Sequence, residues 1–194
     1  VSLLRICVVG DGLVSGIGDP RGLGWTGRVA ARTQAEPGTM AMFSLGVPDE
    51  STSALLTRWR AEAYPRFATD ADNRLVVSPG RSDLGAQLSL ARSRLNLANI
   101  LDDARSDDVR ALVVGPVPGA DPADHERTGG LSEAFADVCE RRDVPFVDCY
   151  TPLSRHEQWF TDLTVGAYPG QVGYGLIAWL VLHQGWQGWL GVPG

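Results

Sequence analysis

Five short apolar runs, each ending in turn-forming residues, constrain this chain more than any other feature. Residues 3–9 run into Gly10-Asp11-Gly12, residues 39–45 into Gly46, and residues 74–78 into Pro79-Gly80. Residues 111–114 run into Gly115-Pro116, and residues 145–147 into Asp148. Continuous Val/Leu/Ile stretches of this length suit strands covered on both faces, as in a parallel sheet. The segments between them have helical spacing: 23–33, 53–64 with Leu55, Leu56 and Trp59 on one stripe, 86–104 with Leu88, Leu95, Ile100 and Leu101, 130–142, and an apolar closing helix at 173–183. Strand–helix alternation with right-handed crossovers gives a doubly wound, three-layer α/β/α architecture around a five-stranded parallel sheet. Segment 117–127, rich in Pro and Asp, reads as a surface loop. Ligands of such sheets bind beyond the carboxyl ends of the strands, so the residues just after each run are the informative ones.

With 194 residues and no long linker, residues 1–194 read as a single domain. The net charge of −6, with no basic face, argues against nucleic acid as a partner. All 17 basic residues are arginine, a bias expected of a GC-rich genome, and a bacterium with specialised metabolism fits that setting. The opening run leads straight into a Gly-rich turn without a small-residue cleavage site, so no leader is expected. No apolar stretch approaches the ~18 residues of a membrane span. Cys7, Cys139 and Cys149 have no metal-ligand spacing, which fits a reduced, cytoplasmic setting. Neither a metal nor a cofactor is implied.

Four blocks in order give a family resemblance. Gly10-Asp11-Gly12-Leu13, followed by Gly16-Ile17-Gly18-Asp19-Pro20 and Gly24-Trp25, resembles the first block of the SGNH (GDSL-type) hydrolases, usually Gly-Asp-Ser-Leu. Ser44-Leu45-Gly46 resembles the second, usually Asn-Leu-Gly, and Gly80-Arg81-Ser82-Asp83 the third, usually Gly-x-Asn-Asp. Val165-Gly166-Ala167-Tyr168-Pro169 resembles the fifth, usually Asp-x-x-His-Pro. The resemblance implies a flavodoxin-like hydrolase fold over nearly the whole chain. It also implies a serine nucleophile, a histidine base, an aspartate that orients the histidine, and an oxyanion hole of backbone N–H groups with the third-block amide.

Carried over residue by residue, those roles fall on Gly12, Tyr168, Val165 and Ser82. Glycine has no hydroxyl, a phenol is no base near neutral pH, and valine cannot orient an imidazole. Asp11, Gly46 and Asp83 keep the family's residue types. We therefore expect a site in which Asp11, Tyr168 and Asp83 carry any chemistry, while Gly12, Ser15, Gly46, Arg81, Ser82 and His125 bind. Tyr168 would donate a proton, Asp11 or Asp83 would accept one, and Arg81 would clamp a carboxylate or a polarised carbonyl.

Each of these residues also has a structural reading: Asp11 and Asp83 as braces of backbone N–H groups, Ser15 as a turn hydroxyl, and Arg81 as a solvated side chain. His156 reads as a loop residue, His183 as a cation at a helix end, and Cys149 as a buried thiol.

Three functions stay open. One is a non-hydrolytic enzyme acting by cyclisation, dehydration or isomerisation on a carbonyl-bearing small molecule. Another is an inactive protein that binds a small molecule or a partner. The third is a weak esterase or acyltransferase with a relocated nucleophile such as Ser15. Trp179, Trp186 and Trp189 are expected in the core, with a homodimer or partner contact as the alternative.

Overall fold

The computed structural model describes residues 3–36, 38–163 and 168–191. Five parallel strands form one sheet: β1 (Leu3–Gly10), β2 (Met40–Gly46), β3 (Ala71–Ser78), β4 (Arg110–Val114) and β5 (Phe146–Val147), in the order β2-β1-β3-β4-β5. The helices are α1 (Gly24–Arg32), α2 (Thr52–Ala63), α3 (Ser82–Gly85), α4 (Leu90–Ser106), α5 (His125–Glu140), α6 (Tyr150–Leu153), α7 (Glu157–Leu163), α8 (Gln171–Val181) and α9 (Gln187–Leu190).

Side-chain alternation sorts the strands into two cores. Ile6, Val8, Val76, Leu112 and Val114 face α1, α7, α8 and α9. Cys7, Val9, Leu75, Val77 and Val113 face α2, α4 and α5. Both faces are therefore covered, which is why the strands read as unbroken apolar runs. Four indoles, those of Trp25, Trp59, Trp159 and Trp186, are fully buried between these layers. The register aligns Gly10 with Gly46 on one side and with Ser78 on the other, so three strands end in a row. The strand order reverses between β1 and β3, and the crevice at that reversal is where ligands of open α/β sheets bind.

The structure differs from the sequence reading in three places. The helix expected over 86–104 is divided: α3 ends at Gly85, Gln87 takes a left-handed φ of 54°, and Ser89 caps α4 by accepting the Arg92 N–H at 3.2 Å. The phase of α4 is then set by Leu97, Ile100, Leu101 and Ala104 against the sheet, which turns Leu95 outward to 50% exposure. Segment 117–127 is no simple surface loop. Val117, Pro118 and Gly119 are buried, and α5 begins at His125, five residues earlier than the helical pattern suggested. The tryptophans divide as well: Trp186 and Trp189 are core residues that donate to Thr33 Oγ1 and the Ala111 carbonyl, whereas Trp179 is 56% exposed and stacks on His183 at 4.3 Å. Among the described residues, no helix is long and apolar enough to cross a membrane.

Candidate functional site

The loop after β1 is built around one carboxylate. Asp19 accepts the N–H groups of Arg21, Leu23 and Gly24 at 3.1, 3.2 and 2.9 Å, and the buried Arg28 guanidinium closes on it from α1. These charge-assisted bonds hold its carboxyl down at about 2, the arginine having the largest effect. The loop is also tied at its start, where Val14 donates to the Asp11 carbonyl, and at Ile17, whose carbonyl accepts the Tyr174 hydroxyl at 2.6 Å.

This braced loop presents Asp11 and Gly12 to the crevice. The Asp11 side chain lies in the hollow left by Gly80 at the end of β3, where an added Cβ would fall 2.5 Å from its Cγ. Its Oδ1 accepts the Leu13 N–H at 3.0 Å, and among the described residues it has no other hydrogen bond. Burial, reinforced by the charges of Asp49 and Glu50, outweighs that bond and the pull of Arg81, and pushes its pKa up to about 6.

Tyr168 covers Gly12. A Cβ at position 12 would lie 2.5 Å from the phenol oxygen and 2.7 Å from two ring carbons, so the ring occupies the space a side chain there would need. Burial, reinforced by the neighbouring Asp49 and Asp11 charges, raises its pKa above the usual value. The phenol is therefore a proton donor at neutral pH.

These groups share one cavity of about 260 Å³. Asp11, Tyr168, Asp49 and Arg81 supply its polar wall, and Leu84, Val117, Trp159 and Leu163 its apolar wall. Trp159 is fixed from behind by donating to the Pro118 carbonyl at 3.0 Å. Among the described residues, no cluster of His, Cys, Asp and Glu could hold a metal ion.

Of the residues expected in the site, the fold brings Asp11, Gly12, Tyr168, Arg81 and Ser82 together. Asp83 is placed elsewhere. It is 1% exposed, and its two oxygens accept the Thr52 N–H at 2.6 Å and the Thr52 hydroxyl at 2.7 Å, which fastens the start of α2 to the third block. Its lone pairs serve the frame. Ser15 is exposed and donates to the Gly46 carbonyl at 2.8 Å, and Gly46 has no room for a Cβ beside Asp11 and Ser15. His125 turns its Nε2 to the Gly119 carbonyl and packs against Phe160. All three cysteines are buried. Burial drives the Cys149 thiol pKa far up and those of Cys7 and Cys139 to about 12. Val165 lies outside the described residues.

Sequence reasoning missed Asp49, Gly119 and Trp159. Asp49 follows the second strand by three residues, in a left-handed conformation with φ 56°, and its place after a strand end was the available signal. Trp159 and Leu163 sit on α7, a short helix ahead of the fifth block that no motif marks.

Comparison with known proteins bears on this geometry. Residues 8–176 match the model of the GDSL-like lipase/acylhydrolase family. A lipase/acylhydrolase from Enterococcus faecalis superposes with a TM-score of 0.74 at 21% identity, over 93% of this chain and 95% of that one. The psychrotrophic esterase EstA from Pseudoalteromonas gives 0.72 at 14% identity, over 96% and 98%. An acetylxylan esterase from Geobacillus stearothermophilus gives 0.74 at 13% identity, over 94% of both chains. These likenesses establish a shared fold. No protein of curated function matches the chain in sequence.

Proposed function

The chain belongs to the GDSL-like lipase/acylhydrolase family, and from that premise we propose that it has exchanged ester hydrolysis for a non-hydrolytic proton-transfer reaction on a small carbonyl compound. The observation that carries this reading is the Tyr168 phenol lying in the space of a position-12 side chain, with the Asp11 carboxylate in the same cavity. In the family that space belongs to the nucleophile. Here position 12 offers no atom to attack an acyl carbon, and position 168 offers a phenol instead of an imidazole. Without nucleophile and base, an oxyanion hole alone supplies only about 10³-fold over water.

The chemistry left to the site is acid–base. Asp11, with a pKa near 6, is ionised at neutral pH and a stronger base than an ordinary carboxylate. It removes a proton from the carbon next to a carbonyl, and Tyr168 gives its proton to the carbonyl oxygen, forming an enol. Returning a proton to another carbon completes an isomerisation. Loss of a β-hydroxyl as water, with Asp11 passing the proton it took to the leaving oxygen and the enol returning its proton to Tyr168 as the carbonyl re-forms, completes a dehydration. A ring results if the enol carbon attacks a second carbonyl of the same molecule. Each route balances without a cofactor. Secondary metabolism in a bacterium is the setting we assign to such a reaction.

Proton NMR in D₂O tests this on a panel of small 3-oxo and 3-hydroxy acids. The protein should exchange or consume the α-proton of a panel member, and Asp11→Asn and Tyr168→Phe should each slow this by about 10²-fold or more. Unchanged rates in both variants would refute the scheme. Binding of panel members without exchange would make the protein a small-molecule binder. A relocated nucleophile draws no support from Ser15, whose hydroxyl is committed to Gly46 with no histidine bonded to it.

A further inference from the structure

The cavity contains a cation that the fold does not use. Arg81 is half-buried at the end of β3, and among the described residues it makes no hydrogen bond and no ion pair. Arg28, Arg58, Arg74 and Arg142 are all committed to carboxylates, as are several exposed arginines. The Arg81 guanidinium lies against Gly119 with its Nη1 end nearest, and an added Cβ there would fall 2.5 Å from Cζ and 3.0 Å from Nη2. Gly119 belongs to the buried segment that walls the cavity. Its missing side chain is what lets the planar group enter.

None of the cavity's three carboxylates, Asp11, Asp49 and Asp124, forms an ion pair with Arg81 among the described residues. Asp124 is paired with Arg127 at 3.3 Å, and Asp11 accepts the Leu13 N–H and lies outside ion-pair distance of Arg81. Opposite the polar wall, Leu84, Val117, Trp159 and Leu163 form an apolar face. The volume is below the ~300 Å³ at which drug-sized pockets begin.

We propose that this site takes a small monocarboxylic acid with an apolar body, its carboxylate held by the Arg81 fork against Gly119 and its body packed on Trp159 and Leu163. The inference rests on the proton-transfer reading for its choice of site and adds the substrate class. An Arg fork matches a carboxylate bidentately, which a neutral amide or an amine cannot reproduce. Anchored in this way, the acid presents the carbons next to it to Asp11 and Tyr168. Gly119 becomes a specificity-determining position although it offers no functional group.

The test uses the full chain and three probes of nearly equal shape: phenylacetate, phenylacetamide and phenethylamine, titrated calorimetrically. Phenylacetate should bind below about 10 mM and at least about tenfold tighter than the other two. Arg81→Met, which keeps the stem and removes the charge, should abolish that preference. Gly119→Ala, which keeps the charge and displaces the guanidinium, should weaken the acid about tenfold and leave the amide unchanged. Thermal melts verify that both variants remain folded. Failure of phenylacetate to bind, equal binding of acid and amide, preference for the amine, or an Arg81→Met variant that still prefers the acid would each overturn the proposal. Carboxylate binding without α-proton exchange would leave the anchor standing and refute the reaction. Exchange on a neutral ketone, unaffected by Arg81→Met, would do the reverse.

Discussion

Asp11 and Asp19 stand at the two ends of one loop, eight residues apart, and the fold treats them in opposite ways. Asp19 is saturated by three backbone N–H groups and a buried arginine, and its carboxyl is held at about 2. Asp11 is buried to a similar degree, has one N–H donor among the described residues, and rises to about 6. The same contrast separates Arg28, locked to Asp19, from Arg81, which makes no ion pair among the described residues. Groups that build the frame have their charge satisfied within the protein. Groups that face the cavity are left short, at a cost in stability.

Removing each carboxylate should therefore move stability in opposite directions. Asp19→Asn leaves the Arg28 charge buried without a counter-charge and should cost about 3–5 kcal/mol in urea denaturation at neutral pH. Asp11→Asn keeps an acceptor for the Leu13 N–H and removes a charge the fold disfavours. It should gain on the order of 1–3 kcal/mol at pH 7.5. A loss of stability in Asp11→Asn would end the comparison.

The pH dependence sharpens it. With its folded pKa raised, Asp11 makes the native state bind more protons than the unfolded chain between about 4 and about 6, so its contribution falls as pH rises through that window. Asp19, with its pKa lowered, contributes fully above the ordinary carboxylate value and is lost as pH falls through about 2. Melting temperatures of the wild type and Asp11→Asn should converge below about pH 4 and separate above about pH 6.

At position 12 the effect is smaller. Gly12→Ala should cost about 1–3 kcal/mol by driving a methyl group into Tyr168, and in a Tyr168→Ala background most of that cost should vanish, a coupling read by a double-mutant cycle. Smallest of all, Ser15→Ala removes one exposed hydrogen bond to Gly46 and should cost no more than about 1 kcal/mol.

The frame was legible in the sequence because apolar runs and turn residues act locally. All five strands lie within three residues of where the pattern placed them, since burial on both faces leaves the pattern no second solution. The division between α3 and α4 was not legible, because Gln87 adopts its left-handed turn without a glycine to announce it. In the site, Asp11, Gly12, Arg81, Ser82 and Tyr168 followed from strand ends and block order. For Asp83 the sequence left bracing and proton transfer both open, because a motif gives the residue type and cannot say that Thr52 from another helix takes both oxygens. Gly119 and Trp159 escaped for a related reason: a glycine defined by the arginine resting on it, and an indole on a short helix, carry their meaning only in three dimensions.

Incubation of the wild-type protein with a fluorophosphonate, followed by intact-mass spectrometry, tests the central claim most directly. If Tyr168 has taken the place of an acyl-accepting side chain over Gly12, the mass stays unchanged at neutral pH, and it stays unchanged in Gly12→Ser as long as Tyr168 is present. A stoichiometric phosphonyl adduct on any serine of the wild-type chain would show a working nucleophile and contradict the account.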